Sequence, residues 1–449
     1  MFGLHAMRRA LRLACSASLA ALLLALATGV SQGATPSNPA TDPFYTYPAS
    51  LIHIAPGTVL KERAAKLTVL GGVQTPLQTE QLLFRTTDES GAAALGVTTV
   101  VHPLTTVLDP RIISWEIPYD TFGSQCDPSY VLAGGGATVT SGAETYYESC
   151  AYESEFQGTI ADAFLAEGVT VIITDYEETT DEYNAGQLEG YATLDGVRAA
   201  ESYLELAQRS TRVGVLGYSG GATAAEWAAE LAPNYAPDID LVGTAAGGVM
   251  VDPAHNLNYI NGNGTGLASV MPAFFLLAQR AFGIDLAPYL SPLGAKVVTA
   301  DEQEDLNNFA GNFTSYQQLL TPQYAIVGSI PGFTAMFNTL IMGSDGTPHT
   351  PMFLANGEGT KNNDYDGDDV MITADVEALA HRYCGDGVPV EFQEYRGIDH
   401  GDSDDLFMPE AALYLTALLA GLPAPSNCAS IPAGDSIAPA NSGASGQSR

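Results

Sequence analysis

The stretch from Arg212 to Trp227 constrains the fold of this chain more than any other part. It reads R-V-G-V-L-G-Y-S-G-G-A-T-A-A-E-W, a short β-branched run, a glycine-flanked Ser219 and an alanine-rich run. This order predicts a buried strand, a sharp turn with Ser219 at its tip, and a helix. Glycine suits such a turn because a Cβ beside it would collide with the strand or the helix. We interpret the stretch as a nucleophile elbow, with an ordinary glycine turn as the alternative.

The first 33 residues have the pattern of a secretory signal peptide. Arg8, Arg9 and Arg12 precede an apolar run that ends near Ala27, and small residues follow up to Gly33. A charged start, a short apolar middle and a small-residue exit are typical of a signal that is cleaved on export. We therefore predict a secreted protein, extracellular or periplasmic. An uncleaved anchor is the alternative, although no later stretch is long and apolar enough to span a bilayer.

The cysteines agree with export. Four of the five lie after the signal, at Cys126, Cys150, Cys384 and Cys428. An even number in an exported chain predicts disulfides, and four cysteines allow three connectivities. Proximity along the chain favours the pairs Cys126–Cys150 and Cys384–Cys428. The sequence has no C-x-x-C, which argues against a zinc or thioredoxin-type site.

The net charge of the chain limits the classes of molecule that it can bind. The chain has 17 basic and 51 acidic residues, a net charge of −34. Phosphate backbones and anionic membranes repel such a surface, so we expect no nucleic-acid partner and no stable membrane anchor. The excess carboxylates favour a solvated, soluble protein. The sequence carries no signal of an oligomeric state.

Strands alternate with helices along most of the chain. The run V-T-V-I-I-T at 169–174 is apolar on both faces, as a central parallel strand is. Apolar residues at helical spacing from Leu194 to Leu204 predict the helix before the elbow strand. Further strands are predicted at 81–86, 96–102, 111–117, 240–245, 352–355 and 388–395, and further helices at 146–167 and 373–383. This alternation predicts an α/β fold with a mostly parallel central sheet and helices on both faces.

The composition changes after the elbow. Residues 247–345 contain apolar helical stretches, Met271–Leu277 and Tyr324–Ile341, joined by proline and glycine breaks. We interpret 247–345 as a helical cap inserted into a core formed by 34–246 and 346–428. Ordinary core helices of a second domain are the alternative. Residues 429–449 are rich in Ala, Ser, Gly and Pro without periodicity, which predicts a disordered tail.

An elbow serine needs a histidine to accept its proton. His400 follows the predicted strand 388–395 and precedes a helix, where the last loop at the carboxyl edge of the sheet presents such a base. Three other histidines follow Ser219 in less suitable places, directly after the strand behind the elbow, before a strand, and on the polar side of a helix: His255, His349 and His381. We predict His400 as the general base.

The carboxylate that orients this histidine is expected after the strand 352–355. The residues alone leave four candidates in the following loop: Asp364, Asp366, Asp368 and Asp369. Asp368 is favoured because it lies beside Val370, where the loop turns back towards the next helix. The same loop reads N-x-D-x-D-G from Asn362, like the start of a calcium-binding loop. Position twelve would be Thr373 rather than Glu, which favours a solvated acidic loop over a metal site.

Two N–H donors are needed to stabilise an oxyanion at this serine. The first is predicted at Gly220, the residue after the nucleophile and the start of its helix. The second is predicted at Asp120, in the turn after the strand 111–117. An ordinary polar turn is the alternative at Asp120.

Several short motifs together resemble the secretory lipase family of secreted microbial enzymes. They are D-P-F-Y at 42–45, P-G-T-V-L at 56–60, S-W at 114–115 leading to Asp120, C-D-P-S-Y at 126–130, T-D-Y-E at 174–177, L-D-G-V-R-A-A at 194–200 and G-Y-S-G-G at 217–221. Asp368-x-Val370, Cys384 and His400 complete the set, so the resemblance spans roughly residues 42–428. The sequence departs from the family in a longer acid loop and in Met371, where the family usually has proline.

The resemblance implies an α/β-hydrolase with a helical cap that hydrolyses carboxylic esters, including triacylglycerols, without a cofactor or metal. It implies Ser219 as nucleophile, Asp368 as acid, His400 as base, and Asp120 and Gly220 as oxyanion donors. It is also consistent with a Cys384–Cys428 disulfide. A lipase is therefore the favoured interpretation, with an ester or lipid substrate. The alternatives are a short-chain esterase, an acyltransferase or serine peptidase, and an acidic binding protein on an inactive hydrolase scaffold.

Overall fold

The computed structural model describes most of the chain beyond the first 35 residues. The described residues are 36–69, 72–105, 107–136, 138–141, 144–147, 150, 154–155, 157, 161–262, 267–309, 311, 313–359 and 367–440. The predicted signal peptide, residues 1–33, lies outside them, as do Asp364 and Asp366 and therefore most of the calcium-like motif. None of the helices in the described ranges is both long and apolar enough to cross a membrane.

A nine-stranded sheet forms the centre of the described structure. Its strands are β1 Val59–Ala65, β4 Thr79–Thr87, β5 Ala93–Val101, β6 Arg111–Glu116, β9 Thr170–Thr174, β10 Arg212–Tyr218, β11 Asp240–Gly247, β12 Met352–Glu358 and β13 Val390–Arg396. Their order is β1-β4-β5-β9-β6-β10-β11-β12-β13. The six strands from β9 to β13 in this order run parallel, and β1, β4 and β5 extend the sheet by antiparallel pairing. Two short hairpins pair β2 Thr68–Val69 with β3 Val73–Gln74, and β7 Thr138–Ser141 with β8 Glu144–Tyr147.

Helices cover both faces of this sheet. The α-helices of the described residues are α1 Pro128–Val131, α2 Asp162–Ala166, α3 Gly186–Tyr203, α4 Gly220–Tyr235, α5 Pro253–Ile260, α6 Pro272–Arg280, α7 Pro292–Asp301, α8 Phe333–Thr339, α9 Thr373–Gly385 and α10 His400–Leu419. Apolar residues of α3, α4 and α9 pack into one core, and those of α2 and α10 into a second core. Because both faces of parallel strands are covered, β9 is buried along its whole length. The predicted α/β fold with a mostly parallel sheet is confirmed.

One predicted helix is wrong at its amino end. Residues 146 and 147 lie in β8, whereas residues 162–166 of the predicted span form α2. Thr145, Tyr146 and Tyr147 belong to residue types that favour strands, and pairing with β7 satisfies their backbone. This local preference outweighs the apolar pattern that suggested one long helix.

The chain leaves the sheet after β11 and returns to it at β12. Between these neighbouring parallel strands lie α5 to α8, whose apolar side chains form a separate cluster that includes Phe275, Leu276, Phe333 and Phe337. Two aromatic contacts join α6 to α8, Phe275 to Phe333 at 5.8 Å and Phe274 to Phe337 at 6.1 Å between ring centroids. These four helices lie within the predicted cap, 247–345.

The structure differs from the predicted disorder over residues 430–440. Ile431 and Ile437 are buried, with exposed fractions of 8% and 4%. The Asp435 N–H donates to the carbonyl oxygen of Ala374 across 3.0 Å, which ties the segment to α9. The composition of the tail gave no periodic signal because only two isolated apolar side chains anchor it. Residues 441–449 lie outside the described structure.

Both predicted disulfides are present. Cys126 bonds Cys150 with an S–S distance of 2.05 Å, and Cys384 bonds Cys428 at 1.99 Å. Within the described ranges, one group of side chains has the spacing of metal ligands, formed by Cys126, Cys150 and Asp305. Because both of its sulfurs are in the disulfide, this group offers no thiolate to a metal.

Many carboxyl groups are buried, and we expect them to make the protein more stable at mildly acidic pH than at mildly basic pH. Burial raises the pKa of Glu116 to about 8, of Glu89 to about 8 and of Asp175 to about 7. A folded-state pKa above the unfolded value means that folding binds protons, so this stability is full below about pH 4 and is lost as the pH rises through about 7 to 8. We expect Tm to be at least about 5 °C higher near pH 5 than near pH 8.

Calorimetry across this pH range measures the effect. Glu116→Gln is the matched variant, because an amide of the same shape does not titrate. It should flatten the pH dependence of Tm, and a Tm that increases from about pH 5 to about pH 8 would contradict the expectation.

Candidate active site

Ser219 occupies a strained turn between β10 and α4. Its backbone has φ 53° and ψ −121°, in the left-handed region that non-glycine residues rarely adopt. The Ser219 N–H donates to the carbonyl oxygen of Gly247 across 2.9 Å, which fixes the turn to β11. A Cβ on Gly221 would collide with the carbonyl oxygen of Glu116, so a residue without a side chain is required there. The predicted strand, turn and helix are all present.

His400 and Asp368 lie in line with the Ser219 hydroxyl. His400 Nε2 lies 2.9 Å from Ser219 Oγ, and His400 Nδ1 lies 2.8 Å from Asp368 Oδ2. A carboxylate oxygen accepts, so we assign the ring proton to Nδ1. Nε2 is then free to accept the serine proton. The structure thus brings together the three residues that the sequence singled out as nucleophile, base and acid.

The loop around Asp368 holds its carboxyl group in place. The side chain is fully buried, and Oδ1 accepts the N–H groups of Val370 at 3.0 Å and Met371 at 2.5 Å. The His400 N–H donates to the carbonyl oxygen of Asp368 across 2.8 Å. Of the other three candidates, Asp369 has φ 77° and its N–H donates to Tyr259 Oη at 3.3 Å, while the remaining two lie outside the described residues. Asp368 is the described aspartate that contacts His400.

Tyr218 contacts His400 through its hydroxyl and its ring, and the sequence did not predict this contact. Its hydroxyl donates to the carbonyl oxygen of His400 across 2.6 Å and lies 2.8 Å from Ser403 Oγ. The two rings are tilted, with centroids 5.1 Å apart. Because Tyr218 precedes Ser219 directly, one short segment carries the serine and fixes the histidine. Only the adjacency of Tyr218 to the serine could have suggested such a role.

Another histidine makes a separate ion pair. His255 Nδ1 lies 3.1 Å from Asp375, and this hydrogen bond raises the pKa of His255 to about 9. His255 also lies near Asp252, whose carboxyl group caps the start of α5. The pair connects α5 to α9 and not to Ser219.

Asp120 and Gly220 are neighbours in space. Gly220 begins α4, and a Cβ built on it would collide with Asp120 Oδ1. Asp120 has φ 39°, and its carbonyl oxygen accepts the Leu306 N–H across 3.0 Å. Burial raises the pKa of the Asp120 carboxyl group to about 7 against the opposing charge of His400. The two predicted oxyanion donors therefore belong to one corner of the site, and their roles remain a prediction.

The pKa of His400 sets the acid limit of any reaction that uses it as a base. Burial alone would lower this pKa, but the charge of Asp368 and the hydrogen bond to it outweigh burial, and the pKa lies above 6.5. Only neutral imidazole accepts a proton, so we expect kcat/KM to fall as the pH decreases below a midpoint that is itself above about 6.5. A pH profile with a soluble ester measures this midpoint.

The pH profile of Asp120→Asn tests the effect of the Asp120 charge on His400. The charge of Asp120 contributes to the raised pKa of His400, so its removal should move the acid limb to lower pH while the backbone N–H stays. An acid limb that does not move in Asp120→Asn would contradict this assignment.

A cavity of about 210 Å³ opens beside Ser219 and His400. Its wall is mostly apolar and comes from the inserted helices and the acid loop: Met250, Ile260, Val270, Ala273, Phe274, Leu277, Leu306, Val370 and Met371. Besides Ser219 and His400, its polar lining includes Asp120, Asn184 and Asn256. An apolar wall beside a reactive hydroxyl accommodates a hydrocarbon group better than a charged one.

The fold and this arrangement of serine, histidine and aspartate define an α/β-hydrolase. The sequence profile of the secretory lipase family matches residues 151–427, more than half of the chain, and the chain belongs to this family. It is therefore a carboxylic ester hydrolase by family. The family predicted from the sequence motifs is confirmed.

Two relatives and one solved structure are similar to this chain. A protein named probable inactive lipase from Mycobacterium tuberculosis is 29% identical over 402 residues, covering 86% of this chain and 84% of that protein. A secreted triacylglycerol lipase from Malassezia globosa is 30% identical over 80% of this chain and 74% of that protein. The crystal structure of Candida antarctica lipase A in its closed state aligns with a TM-score of 0.72 at 24% identity, covering 90% of this chain and 91% of that one, and supports the fold.

Proposed function

We propose that this protein is a secreted lipase that hydrolyses acylglycerols, including triacylglycerols, through an acyl-enzyme intermediate on Ser219. The observation that carries the proposal is the line of hydrogen bonds from Ser219 Oγ through His400 to Asp368, at 2.9 and 2.8 Å. This geometry gives each group the partner that acyl transfer requires.

The reaction has two halves. Ser219 Oγ attacks the ester carbonyl carbon while His400 Nε2 accepts its proton, and the N–H groups of Gly220 and Asp120 stabilise the resulting oxyanion. Collapse breaks the bond to the alcohol oxygen, and His400 returns the proton to the leaving alcohol. Water then attacks the acyl-enzyme with His400 as base. The second collapse releases the acid and restores the Ser219 hydroxyl.

The apolar cavity beside Ser219 supports a long-chain acyl substrate. Phe274 and Leu277 of α6 face it together with Val370 and Met371 of the acid loop. Each methylene of the acyl chain that moves from water to such a wall makes the free energy of binding more favourable by about 0.8 kcal/mol. We therefore expect palmitate esters to have a higher kcat/KM than butyrate esters.

An acyl-chain-length profile on the purified protein tests this preference, with the same esters presented below and above their solubility limit. Preference for butyrate would reassign the protein to the short-chain esterases. Leu277→Trp, which narrows the cavity, should reduce kcat/KM for palmitate more than for butyrate, whereas Leu413→Trp on the exposed face of α10 is the matched control.

An inactive scaffold is the second candidate, because one relative of similar length is named a probable inactive lipase. The proposal of an active enzyme is favoured by the hydrogen bonds at Ser219, His400 and Asp368. Any saturable ester turnover by the wild-type protein that is absent in Ser219→Ala excludes the inactive scaffold.

A further inference from the structure

The insertion between β11 and β12 reaches the turn that carries Asp120. We call residues Asp120–Gly123 the oxyanion loop and residues 302–306, which follow α7, the cap segment. Thr121 pairs with Asp305 in an isolated antiparallel bridge. The Phe122 N–H donates to the carbonyl oxygen of Glu304 at 3.1 Å, and the Leu306 N–H donates to that of Asp120 at 3.0 Å. The backbone of the oxyanion loop is therefore held by the insertion and not by the core alone.

Arg280 connects this pairing to the rest of the site. It is the last residue of α6, and its Nη1 donates to the carbonyl oxygens of Asp181 at 2.8 Å and Thr180 at 3.2 Å. Its Nη2 donates to the carbonyl oxygen of Glu302, at the start of the cap segment. One guanidinium group thus joins the loop after β9 to the cap segment.

The same guanidinium group lies over the oxyanion loop. Its Cζ is 5.1 Å from the centroid of the Phe122 ring, a distance at which a cation is attracted to an aromatic face. Phe122 is fully buried and stacks on Phe309 at 6.1 Å. Beneath the loop, the Thr121 N–H points at the carboxylate of Glu177, 3.4 to 3.5 Å away. Arg280 therefore closes the outer side of a loop whose inner side rests on the core.

We propose that Arg280 is a positioning residue, which fixes the oxyanion loop against the cap segment and so holds the Asp120 N–H in place for the reaction. The inference rests on the proposed function, because it concerns the donor that the proposed oxyanion would use. A planar fork suits this task, since its two terminal nitrogens bond three carbonyl oxygens on two different segments while its face covers Phe122. A lysine ammonium retains the charge but not this geometry.

Arg280→Met tests the inference. Loosening a donor by a fraction of an ångström weakens transition-state binding more than substrate binding, so we expect kcat to fall roughly 10- to 100-fold with KM within about twofold. The inhibition constant of a trifluoromethyl ketone, whose adduct with Ser219 is tetrahedral, should increase in parallel. A merely structural role would lower Tm or the active fraction without changing that inhibition constant.

Arg382→Met is the matched control. Arg382 lies in the last turn of α9 and also donates to carbonyl oxygens, those of Met342 at 3.4 Å and Gly343 at 2.9 Å, away from the oxyanion loop. It should leave kcat and the inhibition constant within about twofold of wild type. Arg280→Lys should show a loss of kcat between those of wild type and Arg280→Met. If Arg280→Met does not fold, the kcat and inhibition constant of Arg280→Lys test the inference instead.

Wild-type values of kcat and of the inhibition constant in the folded Arg280 variants would overturn the inference. Failure of the proposed function looks different, because the wild-type protein itself would then not turn over the ester. Both readouts use the same full-length protein and the same soluble ester.

Discussion

Ser219→Ala is expected to reduce kcat for ester hydrolysis by roughly a million-fold, to a level set by binding and the oxyanion donors alone. The reason is chemical, since alanine has no oxygen to form the acyl-enzyme. His400 and Asp368 would still be present but would have no serine hydroxyl to deprotonate. Initial rates with a chromogenic ester on purified wild-type and variant protein measure the loss.

Ser210→Ala is the matched control for this variant. Ser210 is exposed and its hydroxyl bonds the carbonyl oxygen of Ala207, so the same atom is removed from a turn outside the site. It should retain wild-type kcat. Ester turnover in Ser219→Ala within tenfold of wild type, in protein with a normal Tm, would exclude Ser219 as the nucleophile.

Asp368→Asn should cost about 10⁴-fold in kcat with little change in KM. Oδ1 of Asp368 accepts the N–H groups of Val370 and Met371, so the amide oxygen of the variant should keep that position and its NH₂ group should face His400 Nδ1. An NH₂ group donates, which favours the tautomer that puts the proton on Nε2. The proton would then block the position that must accept from Ser219 Oγ, 2.9 Å away. Stopped-flow or initial-rate kinetics on a soluble ester separates this loss from a loss of binding.

Asp369→Asn tests whether Asp368, and not the adjacent Asp369, is the acid. Asp369 is adjacent in sequence and its backbone bonds Tyr259, but His400 Nδ1 contacts Asp368. We expect Asp369→Asn to retain kcat within a few-fold of wild type. A large loss in Asp369→Asn together with an active Asp368→Asn would reverse the assignment of the acid.

The elbow could be predicted from sequence because its requirements are local. Gly217, Ser219 and Gly221 lie within five residues, and each must fit against backbone that is nearby in the chain or on the next strand. The same holds for β9, whose apolar run predicts burial on both faces. His400 followed from chain order, since the end of one strand and the start of one helix limit where a base can lie.

Other features could not be predicted because they depend on contacts distant in the chain. The bridge between Thr121 and Asp305 joins two segments whose sequences give no sign that they pair. In the sequence, Arg280 could not be distinguished from any other basic residue at the end of an apolar helix. The ordered segment 430–440 was missed because Ile431 and Ile437 alone bury apolar surface there. The helix predicted from 146 was wrong because strand pairing outweighed an apolar pattern.

The most direct test of Ser219 as the nucleophile is labelling with a fluorophosphonate followed by intact-mass and peptide mass spectrometry. The phosphonate reacts only with a hydroxyl that has a base beside it, as Ser219 has in His400 Nε2. We predict one adduct per chain, on the peptide that contains Ser219, and none in Ser219→Ala. An unlabelled wild-type protein, or an adduct that persists in Ser219→Ala, would contradict the account.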